Sequence, residues 1–276
     1  MICQQHYLKD YFPILGADGC NPVLDVYLPH TPPDLERENE KRPCILICPG
    51  GAYRRICPRE GEPIALNFLP QGFHVFVLTY STAPHCFPTQ LRQVAAALEL
   101  IRKNAESWGC DLSRMTLMGF SAGGHLAAHY SNCYDCPEVR AVFPDSLPVQ
   151  ACILGYPVIT GEPAYGHENS FENLSGHTPV TQEDRERFSL ERHVTEKTPP
   201  TFLWHTAADA LVPVENSLLY AAALSKNNIP FELHVYPYGS HGRATADEQT
   251  CNELDAKTAH AHAWIEAAQK WLKLVL

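Results

Sequence analysis

The sequence predicts an α/β fold: a mostly parallel central sheet of about eight strands with helices on both faces. Three observations point to it. Short β-branched or leucine-rich runs alternate with longer amphipathic stretches, as when strands are joined by crossover helices. The chain has 276 residues, 45% of them hydrophobic, enough to bury one substantial core. A glycine-rich turn, Gly119 to Gly123, stands between a strand-like run and a helix-like one.

The elements follow in order. Val23 to Leu28 reads as an early strand, Cys44 to Cys48 as a buried one, and Val75 to Tyr80 and Arg114 to Gly119 as the next two. Ala151 to Leu154, Thr201 to His205 and Phe231 to Tyr236 continue the series. Between them, Thr89 to Ser107 carries Leu91, Val94, Leu98 and Ile101 at helical spacing, and Ser121 to Tyr130 and Pro213 to Asn227 read as further helices. A last helix from about Asp255 to Val275 repeats Trp264, Ala268, Trp271 and Val275 as a core-facing stripe. Two segments interrupt the alternation. Pro29 to Pro43, with Pro32, Pro33 and a charged run, reads as a solvated loop. An insertion at about 160–200 has no strong period; it could fold over a site as a small lid or lie as a surface excursion. One domain, residues 1–276, is expected.

Composition narrows the function. The formal charge is -10 and no block of Lys or Arg occurs, which argues against nucleic acid and membrane surfaces as partners. No apolar run approaches the roughly 18 to 20 residues of a membrane span. Met1 to Asp10 lack the pattern of a secretion signal, so a cytoplasmic location is expected. Eleven scattered cysteines read as reduced thiols, with Cys44, Cys48 and Cys152 in apolar strands. Cys133 and Cys136 form a C-x-x-C without a second pair at metal-ligand spacing, so no metal is expected.

The turn Gly119-Phe-Ser121-Ala-Gly123 is a G-x-S-x-G between strand and helix. A serine on such a tight turn is forced into a strained conformation, and the glycines on either side remove side chains that would collide. The helix that starts there aims free N–H groups at developing negative charge. Ser121 is therefore the candidate nucleophile. In such a fold the acid and then the histidine follow on loops after later strands. Asp209 lies between the strand Thr201 to His205 and a helix opened by Pro213, and His241 lies in the glycine-flanked loop after Phe231 to Tyr236. His241 would take the serine proton and return it to the leaving group, and Asp209 would orient it. Among the other histidines, His125 and His205 read as packed or hydrogen-bonded structural residues, and His260 and His262 fall on the last helix. Glu215 and Asp247 do not fit the order.

After Cys44 to Cys48 comes Pro49-Gly50-Gly51-Ala52-Tyr53, where the glycines let backbone approach a substrate carbonyl. The N–H groups of Gly51 and Ala52, with that of Ala122, are the expected oxyanion donors. Proline stands where a histidine often precedes this motif, so any bond bracing the loop must come from elsewhere.

Taken together, Pro-Gly-Gly-Ala-Tyr, Gly-Phe-Ser-Ala-Gly-Gly-His-Leu-Ala, Asp209-Ala-Leu-Val-Pro and Gly-Ser-His-Gly resemble the esterase/lipase group of α/β hydrolases. The chain is most similar to small bacterial acetyl esterases of acetylxylan esterase type, from about Asp25 to the final helix. That resemblance implies removal of acetyl groups from sugar hydroxyls, with a small-molecule ester, an acetylated oligosaccharide, as partner; the expected acyl transfer itself requires no cofactor, because the oxyanion donors and the imidazole supply what it needs. Tyr53, Arg54 and Phe120 are expected around the substrate, with an aromatic ring available to stack on a sugar. A peptidase or amidase similar to prolyl oligopeptidases, or a non-catalytic binding protein of the same fold, are the alternatives.

Overall fold

The computed structural model describes residues 1–17, 19–31 and 40–276. Most of the expected solvated loop around Pro32, Pro33 and Glu36 lies outside the described residues. Eight strands form one sheet: β1 (Ile2–Tyr7), β2 (Val23–Leu28), β3 (Arg42–Cys48), β4 (His74–Thr79), β5 (Cys110–Phe120), β6 (Ala151–Gly155), β7 (Thr201–Thr206) and β8 (Phe231–Tyr236). Their order is β1-β2-β4-β3-β5-β6-β7-β8. From β4 onward in that order every pairing is parallel, while β2 runs antiparallel to both β1 and β4.

Toward their carboxyl ends the central strands β3 and β5, and β6 throughout, are buried and mostly apolar because both of their faces are covered. In β3, Cys44, Leu46 and Cys48 enter one core layer and Ile45 and Ile47 the other. Leu91, Val94 and Ile101 of α2 (Thr89–Lys103) and Leu126 of α3 (Ala122–Cys133) pack on the first layer, the opposite side from α1 (Glu62–Phe68), whose Ile64 and Phe68 pack on the second. The final stripe behaves as read: Trp264, Ala268 and Trp271 are buried in the second layer. The helix carrying it is shorter than expected, Trp264–Val275, because Ala256–Ala259 and His260–Ala263 form separate turns before it.

Two features depart from the reading. Strand β1 carries Cys-Gln-Gln-His and is almost wholly exposed, so it has no hydrophobic pattern; its backbone pairing with β2 alone makes it a strand. The insertion at 160–200 is not a surface excursion. Its helices α4 (Glu168–Ser175) and α5 (Gln182–Phe188) send Phe171, Leu174 and Phe188, all nearly fully buried, into the first core layer. Among the described residues no helix is long and apolar enough to cross a membrane.

Candidate active site

The site forms where β3, β5, β7 and β8 end at their carboxyl edges. Ser121 follows β5 directly and has φ 54° and ψ −123°, the strained conformation expected of a serine on this turn. The turn is pinned: Ser121 N–H donates to Gly155 O, and Ser121 O accepts from the N–H groups of His125 and Val158. Sterics explain the glycines. A Cβ on Gly123 would stand 2.1 Å from Cys48 O and 2.4 Å from Pro49 O, both backbone atoms that cannot swing aside. Gly123→Ala is therefore expected to push α3 from the end of β3 and to cost about 3 kcal/mol or more of stability, read from urea unfolding.

Asp209 sits in the loop after β7 with a fully buried side chain. Its Oδ1 accepts from the N–H groups of Leu211 and Val212, and its Oδ2 accepts from His241 Nδ1 at 2.6 Å. The carboxylate can only accept, so the His241 proton lies on Nδ1, and Nε2 accepts from the Ser121 hydroxyl at 2.7 Å. Burial alone would raise the Asp209 carboxyl. Hydrogen bonds from His205 and His241, the charge of His241 and the Val212 N–H outweigh it and hold the group well below the usual carboxylate range. His205, fully buried in β7, lies 3.5 Å from Asp209 and is held by Ser217 and Val212 O, the structural part expected of it.

The loop after β3 is braced from three sides. Gly50 N–H donates to Glu60 Oε2 at 2.7 Å, Tyr80 OH donates to Pro49 O, and Asn173 of the insertion donates to Ala52 O. Gly51 and Ala52 have φ of 126° and 57°, and their N–H groups have no acceptor among the described residues. Both residues line the same cavity as Ser121.

Glu60 was not singled out by any motif. It is nearly fully buried, and its Oε1 accepts from Tyr156 OH, which accepts in turn from Ala244 N–H beyond His241. One carboxylate thus ties the loop after β3 to the loop carrying the histidine. Only the fold brings it there, ten residues after Gly50 and without a local pattern.

Two expected substrate contacts are corrected. Phe120 is fully buried because it is the last residue of β5 and its ring points into the second core layer against Tyr156 and Trp264. Tyr53 is buried beneath its own loop, with φ 54° turning the ring inward and its hydroxyl on His125 Nδ1 at 2.8 Å. His125 donates from Nε2 to Phe188 O, so it links the insertion to that loop. Arg54 does line the cavity of about 600 Å³ in front of Ser121, together with Arg55, Arg59, His167, Asn169 and Leu211. His167 and Asn169 make the insertion one wall of the site.

Burial keeps His125 and His74 neutral down to about 4, and holds His129 well below its ordinary value. The unfolded chain protonates all three near 6.5, so it binds more protons below that pH and stability falls as pH falls. Burial raises Glu60 and Glu191, which opposes this, but it also lowers His6 and His167, so five histidines stand against two carboxyls. The urea midpoint at pH 5 is thus expected to lie below that at pH 7.5; an equal or higher value at pH 5 would contradict the assignment. Among the described residues no group of three or more His, Cys, Asp or Glu is arranged to hold a metal ion, and all eleven cysteines, Cys133 and Cys136 included, are free.

A nucleophile-type turn leaving the fifth strand of a mostly parallel eight-stranded sheet is the architecture of the α/β hydrolases, and the chain falls in their esterase superfamily. More narrowly, it belongs to the BD-FAE family, whose model matches residues 24–224. Endo-1,4-beta-xylanase B of Butyrivibrio fibrisolvens is 39% identical over 81% of this chain and 36% of that protein. The acetylxylan esterase of Xylanibacter ruminicola is 30% identical over 74% of this chain and 42% of that protein. The chain thus spans less than half the length of these two relatives. Among solved structures, an acetyl ester-xyloside bifunctional hydrolase from Caldicellulosiruptor lactoaceticus matches with a TM-score of 0.84 at 33% identity, over 99% of this chain and 96% of that one.

Proposed function

We propose that the protein is a serine carboxylester hydrolase that removes acetyl groups from acetylated oligosaccharides of the xylan type. The observation that carries the reading is the unbroken hydrogen-bonded series Ser121, His241, Asp209 beside the unpaired N–H groups of Gly51 and Ala52. The relatives named for xylan and acetylxylan supply the substrate class.

In this mechanism Ser121 Oγ attacks the acetyl carbonyl carbon while its proton passes to His241 Nε2. The negative charge on the carbonyl oxygen is met by the N–H groups of Gly51, Ala52 and Ala122; the Gly50 N–H, engaged by Glu60, is not available. Collapse expels the sugar oxygen, which takes the proton from His241. Water, deprotonated by the same imidazole, then attacks the acyl carbon, and acetate leaves as Ser121 Oγ takes back the proton from His241. Asp209 holds the imidazole in the required tautomer and stabilises its cation. No cofactor is needed for these steps, and the partner is a small-molecule ester.

Acetate release from acetylated xylo-oligosaccharides tests the reading, with Ser121→Ala as blank and 4-nitrophenyl acetate as control. Release that the variant lacks would support a carbohydrate acetyl esterase. Cleavage of the nitrophenyl ester alone would remove the sugar assignment and leave an esterase of another substrate, and cleavage of amides alone would favour the peptidase alternative.

A further inference from the structure

The cavity in front of Ser121 has an uneven charge. Three of its lining residues are arginines, Arg54, Arg55 and Arg59, all exposed, in a chain whose formal charge is -10. Arg54 and Arg55 have no ion-pair partner among the described residues. Glu60, the carboxylate that lines the same cavity, attracts Arg59, while its two oxygens accept from Gly50 N–H and Tyr156 OH.

Their positions follow from the local backbone. The N–H groups of Arg54 and Arg55 both donate to Gly51 O, closing a turn that sets the two side chains beside the oxyanion loop. A Cβ built on Gly51 would lie 3.1 Å from Arg55 Cγ, so the Arg55 stem lies over that glycine. On the far side, a Cβ on Gly242 would lie 2.8 Å from a terminal nitrogen of Arg59, whose guanidinium therefore rests against the residue following His241. Arg55 thus lies against the glycine loop and Arg59 against the histidine loop of the cavity that Ser121 also lines. No lining residue is Phe, Tyr or Trp, so the aromatic platform expected for a sugar is missing from the described wall. Ligand recognition here falls to charge and hydrogen bonds.

We propose that Arg54, Arg55 and Arg59 form a subsite for a carboxylate on the alcohol portion of the ester, making the substrate an acetylated oligosaccharide that bears an acidic sugar. The proposal rests on the esterase reading above. An acetyl group is far smaller than a cavity of about 600 Å³, so the remaining space and its charge belong to the alcohol. Guanidinium groups suit the task because their planar donors pair with both carboxylate oxygens and stay charged at every working pH.

The test compares kcat/KM for 4-acetoxybenzoate with that for 4-acetoxybenzamide, two acetyl esters of similar size whose leaving phenols differ chiefly in charge. The anionic ester is expected to be favoured by about tenfold or more at low salt. That ratio should fall toward one at 1 M NaCl, where the screening length is about 3 Å. Combined Arg54→Gln, Arg55→Gln and Arg59→Gln substitutions should abolish the preference, and Lys at the same positions should restore part of it. The wild-type ratio and its salt dependence need no variant, so the test does not depend on the substituted protein folding. In the same way, an acetylated xylo-oligosaccharide with a glucuronic acid branch should release acetate faster than its carboxyl-reduced counterpart. Equal rates within both pairs would overturn the acidic-substrate proposal and leave the esterase reading intact. Failure to cleave any ester, 4-nitrophenyl acetate included, would overturn both.

Discussion

Ser121→Ala is expected to lower kcat for 4-nitrophenyl acetate by about 10⁴-fold or more, with His241→Ala close behind. The magnitude follows from how the groups depend on one another. In the proposed mechanism the weakly acidic Ser121 hydroxyl attacks only while His241 Nε2, 2.7 Å away, accepts its proton. Once either member is gone, the other has no task, so the double variant should be little worse than either single one. Asp209→Asn should cost about 10⁴-fold as well, for a different reason. The amide offers a donor where His241 Nδ1 requires an acceptor, which favours the tautomer that cannot take the serine proton. Steady-state kinetics on the purified variants, with folding checked by circular dichroism, decides the matter. A Ser121→Ala protein retaining wild-type rates would remove the triad.

Glu60→Ala is expected to lower kcat by about 10²-fold to 10³-fold while changing KM far less, comparable to losing an oxyanion donor. Glu60 touches no reacting atom. It acts through the Gly50 N–H, which fixes the loop that presents Gly51 and Ala52, and through Tyr156, which holds Ala244 three residues beyond His241. Removing the carboxylate leaves two buried donors without acceptors and unties both loops at once. Glu60→Gln should recover much of the loss. Its oxygen can serve Gly50, while its NH₂ donates to a Tyr156 hydroxyl that has turned to accept. A purely structural role would lower stability in the alanine variant without separating kcat from KM, and would show no recovery by glutamine beyond that in melting temperature.

Much of this protein follows from its sequence. The second halves of β3 and β5, from Cys44 and from Met115, and all of β6 are buried and mostly apolar because parallel strands inside an α/β fold are covered on both faces, and that pattern needs no partner to be read. Ser121, Gly119 and Gly123 are legible for a related reason. A strained turn between strand and helix tolerates few residue types, so its demands appear within five consecutive positions. Chain order and strand ends single out Asp209 and His241 as candidates, and the fold brings both into hydrogen-bonded series with Ser121. What the sequence left open are the relations between residues distant along the chain. Strand β1 exists through backbone pairing, which leaves no mark on polar side chains. Tyr53 and Phe120, aromatic and adjacent to the motifs, turn into the core because of local backbone angle and strand alternation. The arginines that line the cavity, and the Glu60 carboxylate that ties two loops together, are set by how those loops pack against one another. Short-range steric demands are written into neighbouring residues; contacts between loops are decided by the tertiary structure, because hydrogen bonds and charges act through space between segments with no spacing in common.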